Sequence, residues 1–307
     1  MSNLPKVIFI VGQTASGKTQ LAVDLAKKFN GAIINADSRQ VYKTMDIITA
    51  KPSLELKSPH GVYLVDGIEH YLFDVCDPNK TFTLADFKSL AKLAIDRILS
   101  QGKLPIVVGG TGLYIWSLVD NLDIPAVMPD DKLRASLEEK PLEELMEMLK
   151  KIDPETVEKI DLKNKRRVLR ALDVVLSTGE SFVKQATKSE PLYDCLQIGL
   201  RWDREEIYER INSRIDEQIK NGAIEETKKL LEKYSPTLPS LSTIGYRELS
   251  AYLRGESSLE QAVEQFKIDA RHYAKRQETW FKRDERIVWI QNNDLSEAVK
   301  IIQNFLK

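Results

Sequence analysis

The stretch of sequence that decides the fold is Gly12-Gln13-Thr14-Ala15-Ser16-Gly17-Lys18-Thr19. An apolar run, Val7-Ile8-Phe9-Ile10-Val11, precedes it and is typical of a buried strand, and apolar residues recur at helical spacing after it. Between a strand and a helix, the glycines let backbone N–H groups turn toward one point at the helix N-terminus, where the dipole favours an anion. Lys18 adds a charge for phosphate oxygens, and the Thr19 hydroxyl is a ligand for Mg²⁺. The pattern predicts a loop that binds a diphosphate or triphosphate with Mg²⁺.

The first 120 residues alternate predicted strands and helices. A strand is expected at residues 32–35, a helix at 84–98 and a buried strand at 104–108 that runs into two glycines, with an irregular segment around Pro52 and Pro59. This alternation is typical of a parallel sheet covered on both faces. We therefore expect an α/β fold with a parallel sheet core like that of P-loop nucleoside triphosphatases, and ligands beyond the carboxyl ends of its strands.

The sequence changes character between about Asn121 and Pro191, where helical spacing dominates and no strand is evident. An apolar segment at residues 196–201 then has the pattern of a strand returning to the sheet. We predict a P-loop α/β catalytic core at residues 1–120 and 197–307, with a helical insertion domain at residues 121–196. The C-terminal part is predicted to be mostly helical, with a short edge strand at residues 288–290 and a last helix capped by Asp294.

Composition narrows the class of protein. The 307 residues are 42% hydrophobic and 30% charged, which is typical of a soluble globular protein. No apolar run is long enough for a membrane span, and the N-terminus lacks the features of a signal peptide, so we expect a cytoplasmic protein with no membrane partner. Cys76 and Cys195 are too few for a disulfide framework or a zinc site. The formal net charge of −1 argues against indiscriminate coating of nucleic acid but permits local basic patches.

A carboxylate, Asp37, follows the second predicted strand on the side of the phosphate loop. It is either a base or a metal ligand, and the alternative is a helix N-cap. The companion segment that follows the strand at 104–108 is Gly109-Gly110-Thr111-Gly112-Leu113-Tyr114. Many P-loop nucleoside triphosphatases carry a Mg²⁺-holding Asp there. N–H and hydroxyl donors in its place favour a non-hydrolytic phosphate site over an ATPase.

Motifs spread over nearly the whole chain resemble the tRNA dimethylallyltransferase family. They are, in order, Gly12–Thr19, Asp37-Ser38-Arg39-Gln40-Val41-Tyr42, Met45–Pro52, Gly109–Tyr114, Asn164–Leu172, Ile244-Gly245-Tyr246-Arg247-Glu248, and Ala274-Lys275-Arg276-Gln277 before Trp280. Gln13 stands where the family usually has Pro, and Ile48 where Gly is common; neither change removes a reactive group. The resemblance is to bacterial-type members, since the eukaryotic members carry a Cys/His zinc module.

The resemblance implies transfer of a dimethylallyl group from dimethylallyl diphosphate to N6 of the adenosine just 3′ of a tRNA anticodon, releasing diphosphate. Asp37 would take the proton of the weakly nucleophilic amine. Lys18, the loop amides and Mg²⁺ on Thr19 would neutralise the leaving diphosphate. Thr111 and Arg214 are the family-matched contacts near the diphosphate. The implied partners are the anticodon stem-loop of tRNA and dimethylallyl diphosphate, and we expect a monomer.

The resemblance also assigns the residues that contact tRNA. They are Asp37, Ser38, Arg39, Gln40, Thr111, Arg134, Arg166, Arg167, Val168, Leu169, Arg170, Gly245, Tyr246, Arg247, Lys275 and Arg276. The adenosine must leave its stack to be reached, as in other base-modifying enzymes.

Three of the assignments that the resemblance implies have simpler alternatives. Arg214 follows Arg210 by four residues, so spacing alone fits a solvated helix face equally well. The basic run at residues 163–170 is of a kind that is more often solvated than bound to nucleic acid, but its position in the insertion and its match to the family favour phosphate contact. Arg271, Lys275 and Arg276 form a weaker second patch, whose interleaved aromatics Tyr273 and Trp280 are also compatible with a core.

His60, His70 and His272 are too widely spaced for a metal site.

Three other functions fit part of the sequence. A small-molecule P-loop kinase shares the loop, but the glycine-rich segment at 109–112 and the long helical C-terminal half disfavour it. An adenylate isopentenyltransferase, which acts on free nucleotide, would leave the basic insertion without a purpose. A tRNA-binding module regulated by nucleotide would leave Asp37 without a role.

Overall fold

The computed structural model describes residues 4–53, 56–57, 62–122, 131–185 and 188–307. In that part of the chain, the strands are β1 (Lys6–Gly12), β2 (Gly31–Asn35), β3 (Leu56–Lys57), β4 (Tyr63–Val65), β5 (Ile68–Tyr71), β6 (Leu104–Gly109), β7 (Asp194–Arg201) and β8 (Ile287–Gln291). The helices are α1 (Lys18–Phe29), α2 (Leu84–Ser100), α3 (Gly112–Val119), α4 (Asp131–Glu138), α5 (Leu142–Ile152), α6 (Pro154–Lys159), α7 (Lys165–Thr178), α8 (Phe182–Gln185), α9 (Arg204–Lys220), α10 (Ala223–Leu231), α11 (Tyr246–Leu253), α12 (Leu259–Phe281) and α13 (Leu295–Leu306).

The strands form one sheet in the order β3-β4-β5-β2-β6-β1-β7-β8. The six strands from β5 to β8 in this order are parallel, and β4 and β3 extend the sheet in antiparallel fashion. The predicted parallel α/β core is therefore confirmed, and the strand expected at residues 288–290 lies at the edge of the sheet. The antiparallel extension was not predicted, because strands of two to four residues give too short a pattern of alternation.

The core of the sheet is built by the most apolar strand. All residues from Val7 to Val11 in β1 are buried, as a central strand with both faces covered requires. On one face, β1 packs with α1 and α13 through a cluster that includes Leu21, Leu25 and Ile302. Asp294 caps α13 by accepting a hydrogen bond from the Glu297 amide at 3.0 Å. A second cluster joins α9, α10, α11 and α12 with residues 41–48, so the helical C-terminal part has a core of its own.

The described residues divide into two compact units. Those up to Leu118 and from Leu192 onward form one unit, and those from Val119 to Pro191 form the other. The strand predicted to start at residue 196 begins at Asp194, where β7 pairs with β1. The return to the sheet therefore comes earlier than residue 197.

The second unit is helical, as predicted for the insertion. Its core gathers side chains of α4, α5 and α7, among them Leu145, Leu149 and Leu172. Buried Asp153 organises one end, because its carboxylate accepts hydrogen bonds from the Thr156 amide at 3.2 Å, the Ser181 hydroxyl at 2.8 Å and the Phe182 amide at 2.9 Å. Within the described ranges of both units, no helix is long and apolar enough to cross a membrane.

Candidate active site at the carboxyl edge of the sheet

The loop between β1 and α1 has the shape that its sequence predicts. Gly12 (φ 147°), Ala15 (φ 60°) and Gly17 (φ 86°) have positive φ angles, which are uncommon outside glycine. The N–H groups of the first turn of α1 have no acceptor within the helix, so they are available to an anion. The Lys18 ammonium lies in the loop, where it donates to the Gln13 carbonyl and lies 3.4 Å from the Ser16 hydroxyl. Thr19 is exposed at the start of the helix.

Two side chains from the region of α9 hold the phosphate loop from outside. The Trp202 indole donates to the Ser16 carbonyl at 3.0 Å, and the Arg210 guanidinium donates to the Ala15 carbonyl at 2.9 Å. The same guanidinium lies 4.2 Å from the centre of the Trp202 ring, a cation–π contact. These contacts fix the peptide planes of the loop. Neither role could be predicted from the sequence, because both residues are almost 200 positions from the loop and belong to no motif.

Asp37 follows β2 and caps a turn. Its carboxylate accepts a hydrogen bond from the Arg39 amide at 2.8 Å, and its own amide donates to the Asn35 side chain at 3.0 Å. No α-helix begins there in the described chain, since residues 38–41 form a turn. The helix N-cap alternative for Asp37 is therefore wrong. Asp37 is half-buried, with its backbone fixed at the sheet edge.

Thr111 joins the end of β6 to the Asp37 turn. Its hydroxyl oxygen accepts a hydrogen bond from the Ser38 amide at 3.0 Å, and its amide donates to the Ala36 carbonyl at 3.3 Å. Because the oxygen accepts this bond, the hydroxyl proton can be donated to another group. The approach of the two segments requires glycine at Gly109, where a Cβ would clash with the Ala36 backbone.

Charged groups from three distant segments act on one another around Asp37. Burial lowers the pKa of Lys18 to about 7, while the Asp37 charge raises it and the Arg214 charge lowers it. Burial also lowers the pKa of Arg214, and Asp37 opposes this shift. Burial and the Asp37 charge raise the pKa of Tyr273 to about 12. Arg214 is half-buried on α9, so it does not lie on a fully solvated helix face, and Tyr273, half-buried on α12, adds a phenol.

Ser38, Arg39 and Gln40 complete the Asp37 turn, and two of their side chains are used within the protein. The Arg39 guanidinium donates to the Pro239 carbonyl at 3.3 Å. The Gln40 amide donates to the carbonyls of Thr49 at 2.9 Å and Ala50 at 3.1 Å. The turn is thus tied to the loop at residues 45–51.

Gly245 and Tyr246, assigned above to tRNA contact, lie in the core of the helical C-terminal part. Tyr246 is fully buried, and its hydroxyl donates to Glu226 at 2.6 Å. Glu226 also accepts from the amides of Asp46 and Ile47 at 2.8 and 2.7 Å. Burial leaves neither Gly245 nor Tyr246 accessible to a polyanion, so their assignment is corrected to a structural one.

Arg247, the next residue of this motif, is exposed, but it is neutralised by its neighbours. Its guanidinium lies 2.5 Å from carboxylate oxygens of Glu248 and of Asp269. Two carboxylates around one cation weaken its attraction for phosphate.

In the helical unit, the basic run lies on α7, which Asn164 caps through the Arg167 amide. Arg166 and Arg167 are exposed, whereas Arg170 pairs with Asp173 at 2.8 Å. Val168 and Leu169 are buried in the core of the unit, so their side chains cannot contact tRNA directly. Arg134 belongs to α4, but its side chain lies outside the described part.

The second basic patch lies on α12. Lys275 and Arg276 are exposed, while Arg271 is bonded to Asn212 at 2.8 Å and to Glu264 at 3.2 Å. Trp280 packs against Trp116 with ring centres 4.5 Å apart, so it is a packing residue.

Among the described residues, no group of three or more His, Cys, Asp or Glu side chains could hold a metal ion. His70 is buried beside the Ile68 carbonyl at 2.9 Å, and burial lowers its pKa. His272 is exposed, and His60 lies outside the described residues. A metal at the phosphate loop would therefore be held by fewer than three such side chains, together with Thr19 and oxygens of the ligand itself.

Comparison with known proteins shows the family. A family model described as IPP transferase matches residues 40–284. The tRNA dimethylallyltransferase of Acetivibrio thermocellus is 46% identical over 98% of this chain and 96% of its own length. A solved tRNA isopentenylpyrophosphate transferase from Bacillus halodurans is 38% identical, with a TM-score of 0.70 over 98% of this chain and 95% of that one. A solved eukaryotic dimethylallyltransferase acting on tRNA is 30% identical, with a TM-score of 0.81 over 98% of this chain and 79% of its own.

Proposed function

This chain belongs to the IPP transferase family, and we propose that it transfers a dimethylallyl group from dimethylallyl diphosphate to N6 of the adenosine 3′ of the anticodon in tRNA. The observation that carries the proposal is the placement of the phosphate loop with Lys18 after β1 and of the Asp37 carboxylate after β2, at the same edge of the parallel sheet, with the Arg214 cation electrostatically coupled to both. Cations suit a diphosphate that leaves with its bonding electrons. A carboxylate suits a proton that must be removed.

In the proposed reaction, the bond between the allylic carbon and the diphosphate oxygen breaks, and its electron pair leaves with the diphosphate. The N6 lone pair forms the new carbon–nitrogen bond. N6 loses one proton to the Asp37 carboxylate, which accepts it as the bond forms. The Arg39 amide and the Asn35 side chain hold Asp37 in place, so that little reorganisation is needed.

The phosphate loop would bind the leaving diphosphate. Lys18, Arg214 and the N–H groups at the start of α1 supply positive charge and hydrogen-bond donors where negative charge develops. Thr111 can donate its hydroxyl proton to a diphosphate oxygen, because its oxygen already accepts from Ser38. The end of β6 thus supplies a hydroxyl donor where many P-loop nucleoside triphosphatases carry a Mg²⁺-holding Asp, which favours group transfer over hydrolysis of a nucleotide.

The donor set fits Mg²⁺ as the cofactor. Mg²⁺ keeps several waters and binds through few protein oxygens together with substrate phosphates, and the exposed Thr19 hydroxyl at the start of α1 is such an oxygen. The ion would supply further charge to the diphosphate. Thr19 would hold it.

Among the described residues that the resemblance assigns to tRNA contact, the exposed cations without a neighbouring carboxylate are the candidates to bind it. We propose that backbone phosphates are bound by Arg166 and Arg167 on α7 and by Lys275 and Arg276 on α12.

We also propose that the protein acts as a monomer in the cytoplasm. Sedimentation of the purified protein tests whether it is a monomer.

The proposal is tested by offering the purified protein labelled dimethylallyl diphosphate with Mg²⁺ and either unmodified tRNA, AMP or ATP. Label in tRNA, at the adenosine 3′ of the anticodon, is the expected result. Label in AMP or ATP would instead identify an enzyme of free nucleotides. Transfer of phosphate from ATP to a small molecule, without any prenyl transfer, would identify a kinase.

A further inference from the structure

Gln277 is a polar residue on the buried face of α12. Its neighbours on that face are Ala270, Ala274 and Phe281, and Gln277 itself is only 5% exposed. Burying an amide costs free energy unless its donor and acceptor both find partners. A residue that only fills space at such a position is normally apolar.

Both ends of the Gln277 amide are bonded, and besides the Tyr273 side chain the partners are backbone groups in two different loops of the candidate active site. The oxygen accepts from the Thr14 amide in the phosphate loop at 2.7 Å, and the nitrogen donates to the Gly110 carbonyl at 3.0 Å. A Cβ on Gly110 would clash with the Gln277 nitrogen, so the glycine makes room for this contact. A second bond, from the Gln13 side chain to the Ala274 carbonyl at 3.3 Å, also ties the loop to α12.

These contacts form a continuous connection from the phosphate loop to the proposed base. Gly110 directly precedes Thr111, whose hydroxyl accepts from the Ser38 amide beside Asp37. The sheet pairing of β1, β6 and β2 sets the spacing of the strand ends, and the Gln277 bridge adds a side-chain link between the loops that extend beyond them. The Thr14 amide is engaged by Gln277, so the N–H groups left for the diphosphate are those further along the loop.

We propose that Gln277 is a positioning residue, which sets the distance between the diphosphate and the base through its paired bonds to Thr14 and Gly110. This inference rests on the proposed prenyl transfer. Loss of the bridge would misplace the reacting groups, and errors of about 1 Å can cost roughly 10²-fold in rate.

The test uses two substitutions of similar size. Gln277→Met removes both bonds, and kcat should fall by about 10²-fold while the KM for dimethylallyl diphosphate changes much less. Gln277→Glu keeps the acceptor for Thr14, but when ionised it places a carboxylate oxygen against the Gly110 carbonyl. When protonated, the same carboxyl donates to Gly110 and reproduces both bonds.

The pH profile separates positioning from packing. Burial raises the pKa of a carboxyl, so Gln277→Glu should change its protonation within the working range. The ratio of its rate to that of the wild type should rise about tenfold or more from about pH 8.5 to about pH 5.5, whereas the ratio for Gln277→Met stays flat. Glu278→Gln, on the adjacent position and paired with Lys282 at 2.6 Å, is the matched control and should keep the wild-type rate at every pH.

The proposal is overturned if Gln277→Met keeps its kcat, or if the two variants show the same flat ratio. Thermal melts accompany each variant, and Gln277→Met decides alone if Gln277→Glu does not fold. A wild-type protein without transfer activity would contradict the proposed function itself, which is a different result from active wild type with unaffected variants.

Discussion

The Ser38 amide donates a hydrogen bond to the Thr111 hydroxyl oxygen at 3.0 Å, and this bond links the ends of β2 and β6. Ser38 directly follows Asp37, so the bond places Thr111, the proposed hydrogen-bond donor to the diphosphate, beside the turn that carries the proposed base. The two halves of the chemistry are therefore built on neighbouring parallel strands, at the edge where such sheets bind ligands.

Thr111→Val should lower kcat by about 10- to 100-fold, because it removes both the acceptor for Ser38 and the hydroxyl donor to the diphosphate. Thr111→Ser keeps the hydroxyl and is the matched control, with a rate within a few-fold of the wild type. Steady-state transfer to tRNA measures both variants. Equal rates for the two would show that the hydroxyl has no part in the reaction.

Thr19→Ala should lose activity mainly by weakening the bond to Mg²⁺, and excess Mg²⁺ should restore part of the rate. Lys18→Ala should be more severe and should not respond to Mg²⁺, because its missing charge contacts phosphate directly. Transfer rates over a Mg²⁺ titration check both. Full activity of Thr19→Ala at low Mg²⁺ would remove Thr19 from the metal site.

Replacing Arg166 and Arg167 by Ala should raise the KM for tRNA and flatten its salt dependence, with roughly one unit of slope lost for each phosphate contact. Affinity for dimethylallyl diphosphate should not change. Lys92→Ala, which removes another exposed cation on α2, is the control and should leave the slope as it is. An unchanged slope in the double variant would return these arginines to a solvated helix face.

Features of the fold and the site that depend on local sequence patterns could be predicted from the sequence. Examples are the phosphate loop with its glycines, the continuous apolar strand at Val7–Val11, and the long helix ending at Phe281, whose apolar residues recur at helical spacing. The family motifs located Asp37 and Thr111, but they could not separate contact residues from core residues: Tyr246 and Val168 belong to matched motifs, and both are buried. Whether a motif residue faces ligand or core depends on packing between distant segments.

The residues that the sequence did not reveal act across long separations. Trp202 and Arg210 donate hydrogen bonds to carbonyls of the phosphate loop, which lies near the start of the sequence. Glu226 accepts hydrogen bonds from the backbone amides of residues 46–48. Each of these contacts is made by a single side chain, so it leaves no repeating pattern in the sequence. They become visible only when the chain is folded.

Tyr246→Phe tests the corrected assignment of that residue. It removes the hydroxyl bonded to Glu226 and leaves a buried acceptor with one partner fewer, which should lower the free energy of unfolding by about 1–3 kcal/mol. The salt slope of tRNA binding should remain that of the wild type. Urea unfolding and tRNA binding on the same sample check this, and a reduced slope with unchanged stability would restore the tRNA assignment.

The helical unit should lose stability in acid through Asp153. Burial alone would raise the pKa of this carboxyl, but hydrogen bonds from Thr156, Phe182 and Ser181 outweigh it and hold the pKa below its ordinary value. A lowered pKa in the folded state means that the stabilisation is complete above the ordinary value of about 4 and is lost as pH falls through the folded value.

Asp153→Asn should accordingly lower stability at pH 7 by about 1–3 kcal/mol, and the difference from wild type should shrink as pH falls below about 4. Urea unfolding followed by circular dichroism over that pH range measures the difference. A gap that stays constant with pH would show that the carboxylate charge is not what matters.

The central claim, that Asp37 takes the proton from N6, is tested most directly by single-turnover transfer with Asp37→Asn. Asparagine keeps the size of the side chain and an oxygen that can accept from the Arg39 amide, so the turn should hold and the thermal melt should match the wild type. The account predicts binding of tRNA and dimethylallyl diphosphate within a few-fold of normal and a transfer rate reduced by roughly 10²–10⁴-fold. A normal melt with a normal transfer rate would contradict it and leave Asp37 as the cap of a turn.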